Sequence, residues 1–201
     1  MTAILSATTT ASVLSGGTGV TGTAGGQIPW LPVDQSLLAA NADLSAVTQN
    51  VTALTAGTQY LLRVNVRASF TASTVWLNVN TGGSGASTGT FCGLISSAGT
   101  LLTGSADCAA QFTGTGAQSV SLTSPQALTA GSFVWVVLLS NLATSQPSFR
   151  GWAALTSSIS DLNLTAANFR VATNGTVITA LQSVTPSANT ASGLNVWAGL
   201  A

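Results

Sequence analysis

The chain contains no histidine, no glutamate and no lysine; its charged side chains are Asp34, Asp43, Asp107, Asp161, Arg63, Arg67, Arg150 and Arg170. Acid, base, metal and phosphate chemistry all draw on the residue types that are missing. A serine nucleophile would have neither His nor Lys beside it, so the usual hydrolase arrangements are impossible. A carboxylate pair for glycoside cleavage would have to come from four aspartates, and each has an easier role, Asp34 and Asp43 at turn or helix starts, Asp107 in a loop, Asp161 ahead of a strand. No dense Asp/Asn/Gly loop offers calcium ligands. The sequence therefore reads as a non-enzyme with no catalytic residues, no metal and no cofactor.

Long apolar runs are also missing. The longest is Phe133 to Leu139, against the roughly 20 residues that span a bilayer, so membrane insertion is not expected. The first residues carry no Arg or Lys to form the positive end of a secretory signal, which leaves cytoplasmic synthesis as the simpler expectation. Four dispersed arginines and a net charge of zero provide no basic stripe for nucleic acid.

What fills the chain is Ser, Thr, Ala, Gly and Asn: hydrophobic residues make up 46% and charged ones only 4%, where an average soluble domain has roughly 25% charged. Such a surface has little like-charge repulsion to keep copies apart. Extensive burial against neighbouring subunits is the expected consequence. Cys92 and Cys108 have strand-like flanks, and a disulfide or two buried thiols are both open, the thiols being favoured.

Residues 1–28 are low in complexity and cannot bury enough surface to fold alone. The Gly17-x-Gly19-x-x-Gly22 spacing in this tract has neither a strand before it nor a helix after it, and carries no weight as a dinucleotide site. Ile28 to Asp34 reads as a proline-stiffened connector and Gln35 to Ala46 as a short helical turn. Residues 1–50 are accordingly assigned to an N-terminal arm and connector, and 51–201 to a β-sandwich domain.

From residue 51 the apolar period becomes two. Tyr60, Leu62, Val64 and Val66 share one face while Arg63, Asn65 and Arg67 share the other; Val75, Leu77 and Val79 point inward, which leaves Trp76 on a polar face with Asn78 and Asn80. Either another subunit or the second sheet covers that Trp, or it is a ligand platform. Further strands are expected at 90–95, 100–105, 119–123, 133–140, 168–173 and 176–181, with hairpins at Ser96 to Gly99 and at Asn174-Gly175. Phe133 to Leu139, apolar on both faces, predicts a central strand covered on one side by the opposing sheet and on the other by a loop or another subunit. The fold class is all-β, a jelly-roll-like two-sheet β-sandwich with an extended N-terminal arm. Ala53 to Thr58 is echoed by Ala127 to Ser132, each introducing an apolar strand through a glycine turn.

These segments carry a resemblance. Leu54-Thr55-Ala56-Gly57-Thr58 before Tyr60-Leu61-Leu62-Arg63-Val64, then Phe91 to Leu102, Ser105-Ala106-Asp107, Leu128-Thr129-Ala130-Gly131 and Pro147-Ser148-Phe149-Arg150 together resemble minor tail and tail fibre proteins of tailed phages infecting actinobacteria. The resemblance covers residues 30–152, contains no catalytic signature, and departs from the family at Ile95, where Tyr commonly stands. It implies a virion protein, often trimeric and often at the tail, where such domains touch the host envelope.

The remaining site candidates are aromatic and cationic. Trp76, Trp152, Arg150 and Phe149 are the expected surface contacts, among hydroxyls and amides suited to a cell-envelope glycan; Trp135 lies in the most apolar strand and reads as core. Trp30 and Trp197, with Arg63 and Arg67, are the expected oligomer or docking contacts. The function expected is a structural protein of a phage particle, homotrimeric and partnered by other virion proteins, at the tail or fibre. A capsid decoration protein and a stand-alone carbohydrate-binding module are the alternatives.

Overall fold

Alternating apolar residues over Phe70–Thr81 and the almost wholly buried Gln59–Asn65 and Phe133–Leu139 build the centre of the molecule. The computed structural model describes residues 31–51, 53–152 and 161–201, so Trp30 and the arm over residues 1–28 lie outside the described residues. In chain order the strands are β1 (Ala39–Ala40), β2 (Gln49–Asn50), β3 (Gln59–Asn65), β4 (Phe70–Thr81), β5 (Phe91–Ser96), β6 (Leu101–Gly104), β7 (Gly116–Leu128), β8 (Phe133–Leu139), β9 (Ser148–Gly151), β10 (Val171–Asn174), β11 (Thr190–Ala191) and β12 (Ala198–Leu200); a short helix, α1 (Ala109–Thr113), precedes β7. They form two antiparallel six-stranded sheets, an all-β sandwich as expected.

The first sheet runs β1-β12-β4-β9-β2 with β7 on the opposite edge of β4, and the second runs β11-β10-β3-β8-β5-β6. Strand β4 organises the first sheet: β7 pairs along one edge from Val79 back to Phe70, while β12 (at Val75 to Leu77) and β9 (from Val79) lie end to end along the other. The chain crosses repeatedly between sheets: β3 and β8 are paired neighbours in the second sheet, yet β4 and β7 of the first lie between them in sequence. Val75, Leu77 and Val79 meet Leu62, Val64, Val134, Val136 and Leu138 in the main core, all buried.

The apolar character of both faces of β8 has a direct cause. Its even residues enter the main core, whereas Trp135 and Val137 join Leu61, Ile95 and Ala172 in a second cluster on the outer face of the second sheet. A loop covers this face: Phe169, Leu181 and Val184 pack on the cluster, and the Trp135 indole N–H donates to the Phe169 carbonyl at 3.4 Å.

The Asn174-Gly175 hairpin does not form. β10 pairs with β3 and with β11 instead, and residues 176–181 contain no strand. The Asn174 amide donates to Asn189 Oδ1 at 2.8 Å, and the Ile178 N–H donates to the Gly57 carbonyl at 3.0 Å. The chain is thereby led across the sheet, where Leu181 and Val184 pack on the outer cluster; that burial outweighs a local turn preference. The Ser96 to Gly99 hairpin does form, with β5 and β6 paired across it.

Residues 31–50, grouped with the arm on sequence, belong to the sandwich: β1 pairs with β12 and β2 with β9. In place of a helical turn over 35–46, two single 3-10 turns, Pro32–Gln35 and Leu44–Ala46, flank β1. The echoed segments adopt the same turn, with Gly57 at φ 69° and Gly131 at φ 83°, and with Thr58 N–H to Thr55 carbonyl and Ser132 N–H to Thr129 carbonyl both at 3.2 Å.

Candidate binding cleft

Where β3 leaves the second sheet, its outward residues stop being covered by the 161–191 segment. Arg63 and Asn65 on β3, Arg67 two residues beyond, the turn residues Gly131 and Ser132, and Phe133 at the start of β8 line an open cleft of about 440 Å³. Register brings them together: Arg63 lies opposite Trp135 and Asn65 opposite Phe133. The turn is fixed by reciprocal bonds, Gly131 N–H to the Val66 carbonyl at 2.8 Å and Val66 N–H to the Ser132 carbonyl at 2.9 Å.

Arg63 is held in place. Its guanidinium carbon lies 4.1 Å from the centre of the Phe133 ring, which in turn meets Trp135 edge-on at 5.0 Å. Its Nε donates to Asn65 Oδ1 at 3.1 Å and one terminal nitrogen to the Asn168 carbonyl at 2.8 Å. Burial, then the charge of Arg170, push its pKa down. The group still remains a cation at neutral pH, since arginine starts so far above it.

All four aspartates are engaged elsewhere. Asp34 accepts from the Leu31 N–H at 2.9 Å and Asp43 from the Ser45 N–H at 2.7 Å. Asp107 accepts from the Ala109 N–H at 2.8 Å and from the Ser87 hydroxyl at 2.9 Å, and Asp161 accepts from the Arg170 N–H at 2.6 Å. No carboxylate side chain lines the cleft.

A second groove, of about 250 Å³, is bordered by Leu37, Leu44, Trp76, Asn78 and Trp197. It accounts for the aromatic on the polar face of β4: the half-buried Trp76 borders this groove together with residues of the same chain's 35–44 segment. Trp197 is buried and its indole N–H donates to the Ala42 carbonyl at 3.2 Å, so it anchors the C-terminal segment within its own chain, a correction to its expected role between subunits.

Phe149 is also corrected. It is fully buried, edge-on to Phe112 at 5.3 Å, because on β9 it points inward while Arg150 points out; it cannot touch a ligand. Arg150 is exposed, and Trp152 is half-buried, packed on the main core with the Arg170 guanidinium 5.8 Å from its ring centre. The four expected surface contacts thus do not converge, whereas Arg63 and Arg67 do. Phe133, Gly131 and Ser132 escape sequence reasoning as site residues, although the echoed glycine turn is the signal that could find them.

Cys92 and Cys108 are buried free thiols. Burial raises both pKa values, that of Cys108 to about 12, and the Cys108 thiol donates to the Thr90 carbonyl at 3.4 Å, so neither is poised as a nucleophile. No protein-family model matches the chain, and no curated protein matches it.

Proposed function

We propose that this chain is a non-enzymatic structural protein of a tailed-phage particle, a homotrimeric tail or fibre component whose sandwich faces the host surface and whose N-terminal arm docks on another virion part. The observation that carries the reading is a charge-poor sandwich with bare apolar side chains where the arm joins it: Leu31, Val33 and Leu38 are 40%, 69% and 52% exposed. A soluble monomer gains nothing from leaving such residues in water beside a surface with so few charges; an assembled subunit covers them. The sequence resemblance to minor tail and fibre proteins adds to this. The engagement of every aspartate with backbone N–H groups supports the non-enzymatic part.

Immunogold labelling of particles, with antibodies against the isolated chain, tests the location. Label at the tail tip or fibres is the expected result; label over the head makes it a decoration protein, and unlabelled particles overturn the reading. Deleting residues 1–28 is expected to abolish incorporation while leaving a folded sandwich. Normal incorporation of the truncated chain would sink the docking role of the arm.

A further inference from the structure

We infer that the Arg63–Arg67 cleft is a binding site for an acidic saccharide, one whose carboxylate or phosphate group is held between the two guanidinium groups. The saccharide's origin in a host envelope rests on the function proposed above; the chemistry of the cleft does not.

The chain has only four cations, yet two of them line one cleft, and a third, Arg170, is close enough to act on Arg63. Like charges brought together repel, and no carboxylate lines the cleft to neutralise them: the four aspartates are all described residues and none borders it, so no segment outside the described residues can bring a side-chain carboxylate there. Among the described residues, neither Nη2 of Arg63 nor any side-chain nitrogen of Arg67 donates to a protein acceptor. The unspent planar fork of Arg67, beside the free Nη2 of Arg63, suits a planar carboxylate or a phosphate.

The cleft is also preorganised. Arg63 is clamped by Phe133, Asn65 and the Asn168 carbonyl, so little side-chain entropy remains to be lost on binding. Because Arg63 lies over one face of Phe133, that face is closed to stacking by a neutral sugar. Recognition falls to the charges.

The lining of the cleft suits a saccharide better than an acidic protein segment. Protein interfaces are centred on buried apolar anchors, and none of the exposed large apolar residues, Leu31, Val33, Leu38, Leu162 and Val177, lines this cleft. Its walls present the Asn65 amide NH2 and the Ser132 Oγ, which donates to the Thr129 carbonyl at 2.6 Å and still accepts, as partners for sugar hydroxyls. Its volume falls within the roughly 300–1,000 Å³ of small-ligand sites.

The test is titration of the full ¹⁵N-labelled chain with methyl glucuronide, glucose 1-phosphate and neutral methyl glucoside, followed by amide shifts. The two acids are expected to move the Asn65, Gly131 and Ser132 resonances and the neutral glycoside to leave them in place. Arg67→Gln, at an exposed position that the fold does not need, is expected to weaken binding about tenfold or more. Arg63→Gln should do the same, and an unchanged spectrum outside the cleft shows that each variant is folded. Equal response to methyl glucoside, tighter binding of an acidic peptide, binding of acetate or inorganic phosphate alone as tight as that of the saccharides, or no response to any probe would each overturn the inference. None of these results alters where gold label falls on particles, so the two readings fail separately.

Discussion

With so few ionisable side chains, one residue's titration can be read almost in isolation, and Asp161 is the informative one. Its Oδ1 accepts from the Arg170 N–H, while its Oδ2 is buried without a partner among the described residues. Burial raises its pKa above the ordinary 3.8, against the smaller downward pull of backbone N–H bonds and of Arg170. A carboxyl with a raised folded pKa favours the fold when protonated: that contribution is full below pH 3.8 and is lost as pH rises through the folded value. Asp161→Asn keeps an acceptor for Arg170 and carries no charge. Its stability relative to the wild type is therefore expected to rise with pH across the acid range and then level off, measured by urea midpoints; a difference that falls with pH would mean that the Arg170 attraction dominates. The two echo glycines make a second residue-scale pair. Gly131→Ala forces φ 83° on a residue with a Cβ in open space, a penalty of roughly 1–2 kcal/mol. Gly57→Ala adds a Cβ 2.9 Å from the Val177 Cα, so its loss should exceed that of Gly131→Ala by about 1–3 kcal/mol; equal losses would show that the 175–178 segment yields freely.

At the scale of elements, the sandwich has two layers of burial that should unfold differently. Leu138 is fully buried in the main core, and Leu138→Ala is expected to lower global stability by about 2–5 kcal/mol. Leu181 is only half-buried on the outer cluster, so Leu181→Ala should stay at the low end of that range or below it, while accelerating hydrogen exchange of residues 176–189 far more than that of β3 or β8. Uniform acceleration would instead mean that the covering loop and the sheets form one cooperative unit. The same division explains what can be read in the sequence. β3 and β4 are legible because period-two burial depends only on neighbours along the strand, and β8 because an unbroken apolar run marks a strand covered on both faces. β1, β2 and β11, of two residues each, are too short to carry any period. The false hairpin at Asn174-Gly175 arises because a turn dipeptide is local, whereas the outer cluster that draws Leu181 and Val184 away exists only once β5, β8 and β3 lie side by side. The cleft is legible in half: Arg63, Asn65 and Arg67 share a face by alternation, but Phe133 and Ser132 reach them only through the β3–β8 register, which no single-strand pattern encodes.

For the whole molecule, the scarcity of charge separates two kinds of association by their response to salt. Contacts between copies at the bare apolar residues Leu31, Val33 and Leu38 involve no net charge, since the chain's own is zero, and screening has little to act on. Held by apolar burial, an oligomer should keep its mass, or become tighter, when ionic strength is raised from about 0.05 M to about 1 M, where the screening length falls to roughly 3 Å. An acidic saccharide in the Arg63–Arg67 cleft is held by charge at an open surface, and its affinity should fall over the same interval. Light scattering after size exclusion checks the first and the amide-shift titration repeated at both salt concentrations checks the second. A trimer that dissociates in salt would place the arginines at the subunit contact, returning Arg63 and Arg67 to a docking role and closing the cleft to ligand; a monomer at every concentration would remove self-assembly from the account. A salt-stable trimer with salt-sensitive saccharide binding is the combination that a host-facing structural subunit requires, because assembly must then persist under conditions in which surface attachment is reversible.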